Sequence, residues 1–243
     1  MRSALIQIAV EPGQAVLGTL AAPATTMPGV LFVHGWGGSQ ARDLDRAREI
    51  AALGCTCLTF DLRGHAGTVA QRDLVSREHS LQDVLAAYDA LVAQPGVDRG
   101  AIAVVGSSYG GYLSALLTAL RPVRWLSLRV PALYRDADWD APKRSLDRAD
   151  LALYRGAPVA AEGNRALAAA SAFAGDVLLV ESEHDHLIPH TAIASWMAAF
   201  RCARSLTYRV VSGADHALSD AAHRHDYTCL LVRWVTEMVL GAR

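Results

Sequence analysis

Short apolar runs and longer amphipathic stretches alternate along most of this chain. Runs at 4–10, 15–21, 29–33, 55–60, 101–105, 124–130, 176–181 and 206–211 have the length and composition of strands. The first two flank Glu11-Pro12-Gly13-Gln14, which predicts an antiparallel hairpin. From residue 29 onward the runs interleave with helical patterns at about 40–53, 80–94, 109–121, 190–201 and 219–240. In the second of these, Leu81, Val84, Leu85, Tyr88, Leu91 and Val92 recur at helical spacing, with Ser80 as the expected N-cap and Asp83 three residues on. Such alternation predicts an α/β protein, with a mostly parallel eight-stranded sheet and helices on both faces. Residues 131–173 break the rhythm. They are rich in Ala, Arg and Asp, with prolines at 131, 142 and 158 and scattered Tyr134, Trp139 and Tyr154. Too few large apolar residues are present for a separate core. Two or so short helices, inserted as a small cap on the carboxyl side of the sheet, are expected there.

Length and composition narrow the picture. A chain of 243 residues, 52% hydrophobic, suffices for one large α/β domain spanning 1–243. Charged residues make up 19%, the net charge is −1 and no basic block stands out, so a nucleic-acid partner is not expected. The apolar run 4–10 ends at Glu11-Pro12-Gly13, too short for a secretory signal or a membrane span. Cys55, Cys57, Cys202 and Cys229 show no zinc or redox spacing. Four reduced thiols in a cytoplasmic protein are the expectation. Nothing in the chain sets an oligomeric state.

Candidate chemistry centres on Gly106-Ser107-Ser108-Tyr109-Gly110-Gly111, between the run 101–105 and a helical stretch from Tyr112. This is G-x-S-x-G in strand–turn–helix context. A nucleophile on so sharp a turn needs neighbours almost without side chains two places to either side, and Gly106 and Gly110 fill those places. Ser108 would then stand at a helix N-terminus, where the backbone dipole favours developing negative charge. A serine hydroxyl also needs a base and an acid that orients it. The run at 177–180 leads into Glu181-Ser182-Glu183-His184-Asp185-His186-Leu187-Ile188-Pro189, and the run 206–211 into Ser212-Gly213-Ala214-Asp215-His216. Both loops fall at the carboxyl edge of a parallel sheet, where open α/β folds place their sites. Ser108, Asp185 and His216 follow the chain order Ser…Asp…His, with Glu183 as a rival acid. Asp215 adjoins His216 too closely to fold back onto its ring. The loop Val33-His34-Gly35-Trp36-Gly37-Gly38-Ser39 offers a second oxyanion donor. The amides of Trp36 and Tyr109 are the candidates.

Together, His-Gly-Trp-Gly-Gly at 34–38, Asp-Leu-Arg-Gly-His at 61–65, Gly-Ser-Ser-Tyr-Gly-Gly at 106–111, Asp185…Pro189 and Asp215-His216 resemble the α/β-hydrolase-fold serine hydrolases. The matching elements span 29–220 in the expected order. Gly-Ser-Ser-Tyr-Gly-Gly followed by Tyr112 is also similar to the prolyl-oligopeptidase and acylaminoacyl-peptidase branch, though the N-terminal propeller of those peptidases is not expected here. Feruloyl-esterase and dienelactone-hydrolase-like groups share the general pattern, the latter with cysteine where this chain has Ser108. Ala66 stands where the family usually has glycine, and Gly67 follows.

This resemblance implies an α/β-hydrolase fold and a serine hydrolase of small or medium carboxylic esters. It implies a small-molecule partner and no metal or organic cofactor. The alternatives are a serine peptidase or amidase, and a non-catalytic binding protein on the same fold. His34 is expected to order the oxyanion loop, and Asp61 and Arg63 to brace loops by charge-assisted hydrogen bonds. Trp36, Tyr109 and Trp139 are candidate pocket walls.

Overall fold

The computed structural model describes residues 2–22 and 27–241. Eight strands form one sheet: β1 (Arg2–Glu11), β2 (Gln14–Ala22), β3 (Met27–Val33), β4 (Thr56–Phe60), β5 (Val97–Ser107), β6 (Trp125–Arg129), β7 (Asp176–His184) and β8 (Ser205–Asp215). Their order is β1-β2-β4-β3-β5-β6-β7-β8. β1 and β2 form the expected hairpin, β2 runs antiparallel to β4, and every other pairing is parallel.

A parallel sheet buried on both faces needs apolar side chains on both, and the two-residue period of a strand supplies them. In β3, Leu31 and Val33 enter one core while Val30 and Phe32 enter the other. β5 divides Ile102 and Val104 from Ala103 and Val105 in the same way. One face is covered by α1 (Ala41–Ala52) and α7 (Ala221–Leu240), which touch each other. Against the other lie α2 (Arg77–Val92), α3 (Tyr109–Thr118), α5 (Arg165–Ala172) and α6 (His190–Ala199).

Two local expectations shift. Helix α2 begins three residues before the expected start, with Ser76 as its cap. Ser76 Oγ accepts from His79 N at 3.1 Å, and His79 Nδ1 accepts from Ser76 N at 3.3 Å. The reciprocal box was hidden because its third residue is His rather than Glu or Gln. Ser80 instead lies inside the helix and donates to Ser76 O at 3.1 Å. Residues 131–173 hold α4 (Arg148–Gly156), α5 and two 3₁₀ turns at 143–145 and 161–163. Helix α5 packs on α3 and α6, so it serves as the crossover from β6 to β7. The stretch before it is tied to α2: Arg77 donates to the carbonyls of Arg135 and Ala137, and Lys143 N to Val75 O.

The chain enters β4 on one side of β3 and returns as β5 on the other. Loops leaving β3 and β5 therefore diverge, and a crevice opens between them at the carboxyl edge.

Candidate active site

Ser108 joins β5 to α3 with φ 53° and ψ −115°. A non-glycine residue there carries strain of roughly 1–3 kcal/mol, so its surroundings must hold it. Ser108 N donates to Arg129 O at 2.8 Å, and Ser108 O accepts from Tyr112 N at 3.1 Å and Ala132 N at 3.0 Å. The flanking glycines are required by contact. A Cβ on Gly106 would lie 2.4 Å from Ser114 Oγ, and one on Gly110 only 2.0 Å from Val33 O. These approaches press the turn against β3 and the loop that follows it.

The three residues expected from the sequence come together. His216 Nε2 lies 3.0 Å from Ser108 Oγ, and His216 Nδ1 lies 2.6 Å from Asp185 Oδ2. Asp185 Oδ1 accepts from Leu187 N at 2.8 Å and Ile188 N at 2.9 Å. The Asp185 side chain is 1% exposed and that of His216 23%. A carboxylate on Nδ1–H leaves Nε2 free to accept the serine proton. Glu183 does not reach this ring: it is exposed and accepts from Gly213 N at 2.6 Å. Asp215 turns to Ser219, accepting from its N at 2.7 Å and Oγ at 2.6 Å.

The glycine-rich loop after β3 sits against the serine, with a Cβ on Gly35 falling 3.2 Å from Ser108 Cβ. Gly37 takes φ +80°. Its N–H donates to His65 Nε2 at 2.9 Å, and Gly38 N donates to Gly35 O at 2.9 Å. Those N–H groups are committed, while Tyr109, first in its helix, has no intrahelical acceptor for its own. His34 sits beneath the loop. Its Nδ1–H donates to Gly35 O at 2.8 Å and its Nε2 accepts from Leu62 N at 3.1 Å. Burial holds both rings neutral: the His34 pKa falls below its ordinary 6.5 and that of His65 to about 4. For His65 the nearby His34 adds to desolvation. Asp61 and Arg63 brace neighbouring loops. Asp61 accepts from Gln40 N at 2.8 Å and Nε2 at 2.9 Å, and Arg63 Nε donates to Asp83 at 2.7 Å.

Family comparison fits this arrangement. A sequence profile described as "Alpha/beta hydrolase family" matches residues 30–227, well over half of the chain. The chain belongs to the alpha/beta hydrolase family. Two uncharacterized proteins of Mycobacterium tuberculosis are 33% identical over 104 residues, 43% of this alpha/beta hydrolase. The chain spans about a third of the length of these curated relatives, 36%. Solved structures extend the likeness to the whole fold at low identity. DcsB, in complex with its substrate analogue, has a TM-score of 0.77 at 14% identity and covers 98% of this chain and 100% of its own. Est1E from Butyrivibrio proteoclasticus, with ferulic acid bound, reaches 0.76 at 16%, covering 97% and 99%. A Mycobacterium tuberculosis puromycin-hydrolyzing peptidase reaches 0.73 at 18%, covering 99% of this chain but 39% of its own.

A cavity of about 650 Å³ opens beside Ser108 and His216, walled by the 34–38 loop, the start of α1, Arg129, residues 217–219 and Arg224. Of the three aromatics expected as walls, Trp36 lines it. Tyr109 is wholly buried, and Trp139 donates from Nε1 to Glu78 near Arg77 and Arg165. The site also includes residues not singled out from the sequence. Arg129 donates to His216 O at 3.0 Å and Ser182 Oγ at 3.3 Å, fixing the loop that carries the imidazole. A cation ending an otherwise apolar strand was the available signal. Lys143 Nζ stands 4.5 Å from the Trp36 ring centre and 5.0 Å from that of Tyr109, with no local sequence signature. Desolvation lowers its pKa.

Proposed function

We propose that this alpha/beta hydrolase is a serine hydrolase that cleaves carboxylic esters of small or medium acyl groups. The hydrogen-bonded row Ser108–His216–Asp185 carries the reading. Ser108 Oγ attacks the ester carbonyl carbon as His216 Nε2 takes its proton. The amides of Trp36 and Tyr109 hold the resulting oxyanion. The imidazolium, oriented by Asp185, returns the proton to the departing alkoxide, and the acyl group stays on Ser108. Water then attacks, again losing a proton to Nε2. Collapse releases the acid and restores the serine hydroxyl. No cofactor enters these steps. In this reading 131–173 supplies a small cap on one domain ahead of the crossover helix α5, and the cap holds Lys143 over Trp36 and Tyr109. Among the described residues no helix is long and apolar enough to cross a membrane, and the four cysteines are free. We take the reducing cytoplasm as the location and small molecules as the substrates.

Labelling with a fluorophosphonate probe tests the nucleophile. The wild type labels, and Ser108→Ala neither labels nor turns over p-nitrophenyl esters, losing more than ~10³-fold. Ser107→Ala keeps both. An unlabelled wild type would favour a binding protein on this fold. Turnover of aminoacyl anilides above that of esters would favour a peptidase, the class of one structural neighbour.

A further inference from the structure

Charge is unevenly distributed around the cavity beside Ser108. Four arginines line it, Arg42, Arg46, Arg129 and Arg224, against two aspartates, Asp43 and Asp45. Both aspartates are already paired: Asp43 with Arg46 at 3.0 Å and Asp45 with Arg48, outside the cavity, at 2.9 Å. Arg129 is buried and spends its donors on Ser182 and His216 O. Arg42 has no carboxylate partner among the described residues, and Arg224 bonds only the carbonyls of Leu218 and Ser219. Both are exposed. Deeper in the wall, Arg46 is 8% exposed and its Nε–H has no acceptor. Two uncompensated guanidinium groups and an orphaned buried donor thus surround a space of about 650 Å³.

The polarity of the reaction says which end of a substrate lies there. His216 must protonate the departing oxygen, so the leaving group rests against the imidazole. His216 and the residues after it form one wall of this cavity.

We infer that the cavity binds an anionic group, carboxylate or phosphate, on the leaving-alcohol side of the ester, held at its rim by Arg42 and Arg224. This rests on the serine-hydrolase reading and goes beyond it by naming the charge of the substrate. Guanidinium groups match both anions in bidentate geometry, and a partly enclosed cavity strengthens the attraction.

Paired substrates separate the possibilities. On the leaving side, 4-acetoxybenzoate is compared with its neutral isostere 4-acetoxybenzamide. On the acyl side, mono-4-nitrophenyl succinate is compared with 4-nitrophenyl valerate. The expected result is a kcat/KM for 4-acetoxybenzoate at least tenfold above the benzamide at low salt. That ratio falls towards one in Arg42→Gln/Arg224→Gln. It also shrinks in the wild type as salt rises, because exposed charges are screened beyond ~10 Å at 0.1 M. This salt dependence tests the idea even if the double variant folds poorly. Equal rates for acetoxybenzoate and benzamide, with Ser108 labelled normally, would overturn the inference and leave the hydrolase reading intact. A preference confined to the succinate would overturn the leaving-side placement. No labelling and no hydrolysis of any of the four would end the serine-hydrolase reading, and this inference with it.

Discussion

Asp185 and Glu183 stand two residues apart at the end of β7, yet they face different partners. Two backbone amides fix Asp185 so that one oxygen meets His216 Nδ1 at 2.6 Å. In the proposed reaction this bond selects the tautomer with Nε2 free. Asp185→Asn offers an amide that favours the wrong tautomer, and kcat is expected to drop by ~10⁴-fold with the fold intact. Glu183→Gln loses a charged acceptor at Gly213 N, and kcat is expected to change by less than about tenfold, ~1.4 kcal/mol. Steady-state kinetics on both variants checks this, and a crippled Glu183→Gln beside an active Asp185→Asn would reverse the assignment.

At the scale of elements, the turn between β5 and α3 works because α3 crosses β3 almost in backbone contact. A Cβ on Gly110 would sit 2.0 Å from Val33 O and 2.6 Å from His34 O, neither of which is a side chain that can swing aside. Gly110→Ala must therefore push α3 off the sheet. We expect a loss of more than ~3 kcal/mol, read as a fall in the urea midpoint or as insoluble protein. Gly156→Ala is the control. It ends α4 with no atom within 4 Å of its Cβ, and a helix-favouring side chain there should be neutral or stabilising by up to ~1 kcal/mol. The glycine-rich loop after β3 is a second element held from below. His65 accepts the Gly37 N–H only while its Nε2 is unprotonated. Its pKa is about 4 in the fold against an ordinary 6.5, so the unfolded chain takes up the proton first as pH falls. That contribution is complete above pH 6.5 and is lost between 6.5 and about 4. In thermal melts, His65→Gln should flatten the decline in Tm over this window.

Across the whole molecule, the buried Arg63–Asp83 pair joins the loop after β4 to α2, with side chains 4% and 0% exposed. Desolvation raises the Asp83 pKa to about 6 although Arg63 opposes the rise. Its native state holds the proton more tightly than the unfolded chain, so this contribution is lost as pH rises through about 6, opposite in sign to that of His65. Asp83→Asn leaves buried Arg63 with only the part-exposed Glu11 carboxylate, 3.4 Å away, as counter-ion, and at pH 8 a loss of ~3 kcal/mol is expected in denaturant titrations. Much of this architecture is legible along the chain. The two-residue period of Val30 to Val33 dictates a strand buried on both faces, and Gly106-x-Ser108-x-Gly110 is a local steric demand, so both can be read without knowing the neighbours. The start of α2 is not legible along the chain because its cap uses His79 in a role usually filled by a carboxylate or amide. What only the tertiary structure decided depends on register and sheet order. A shift between Ser182 and His184 in the β7–β8 pairing accompanies the divergence of Glu183 to Gly213 and Asp185 to His216. The crossing of β3, β4 and β5 brings α1, the end of β6 and the start of α7 around one cavity. Arg42 and Arg46 are neighbours one turn apart on α1, but they meet Arg129 of β6 and Arg224 of α7 only because long-range pairing is set by the fold as a whole, and no local pattern records that meeting.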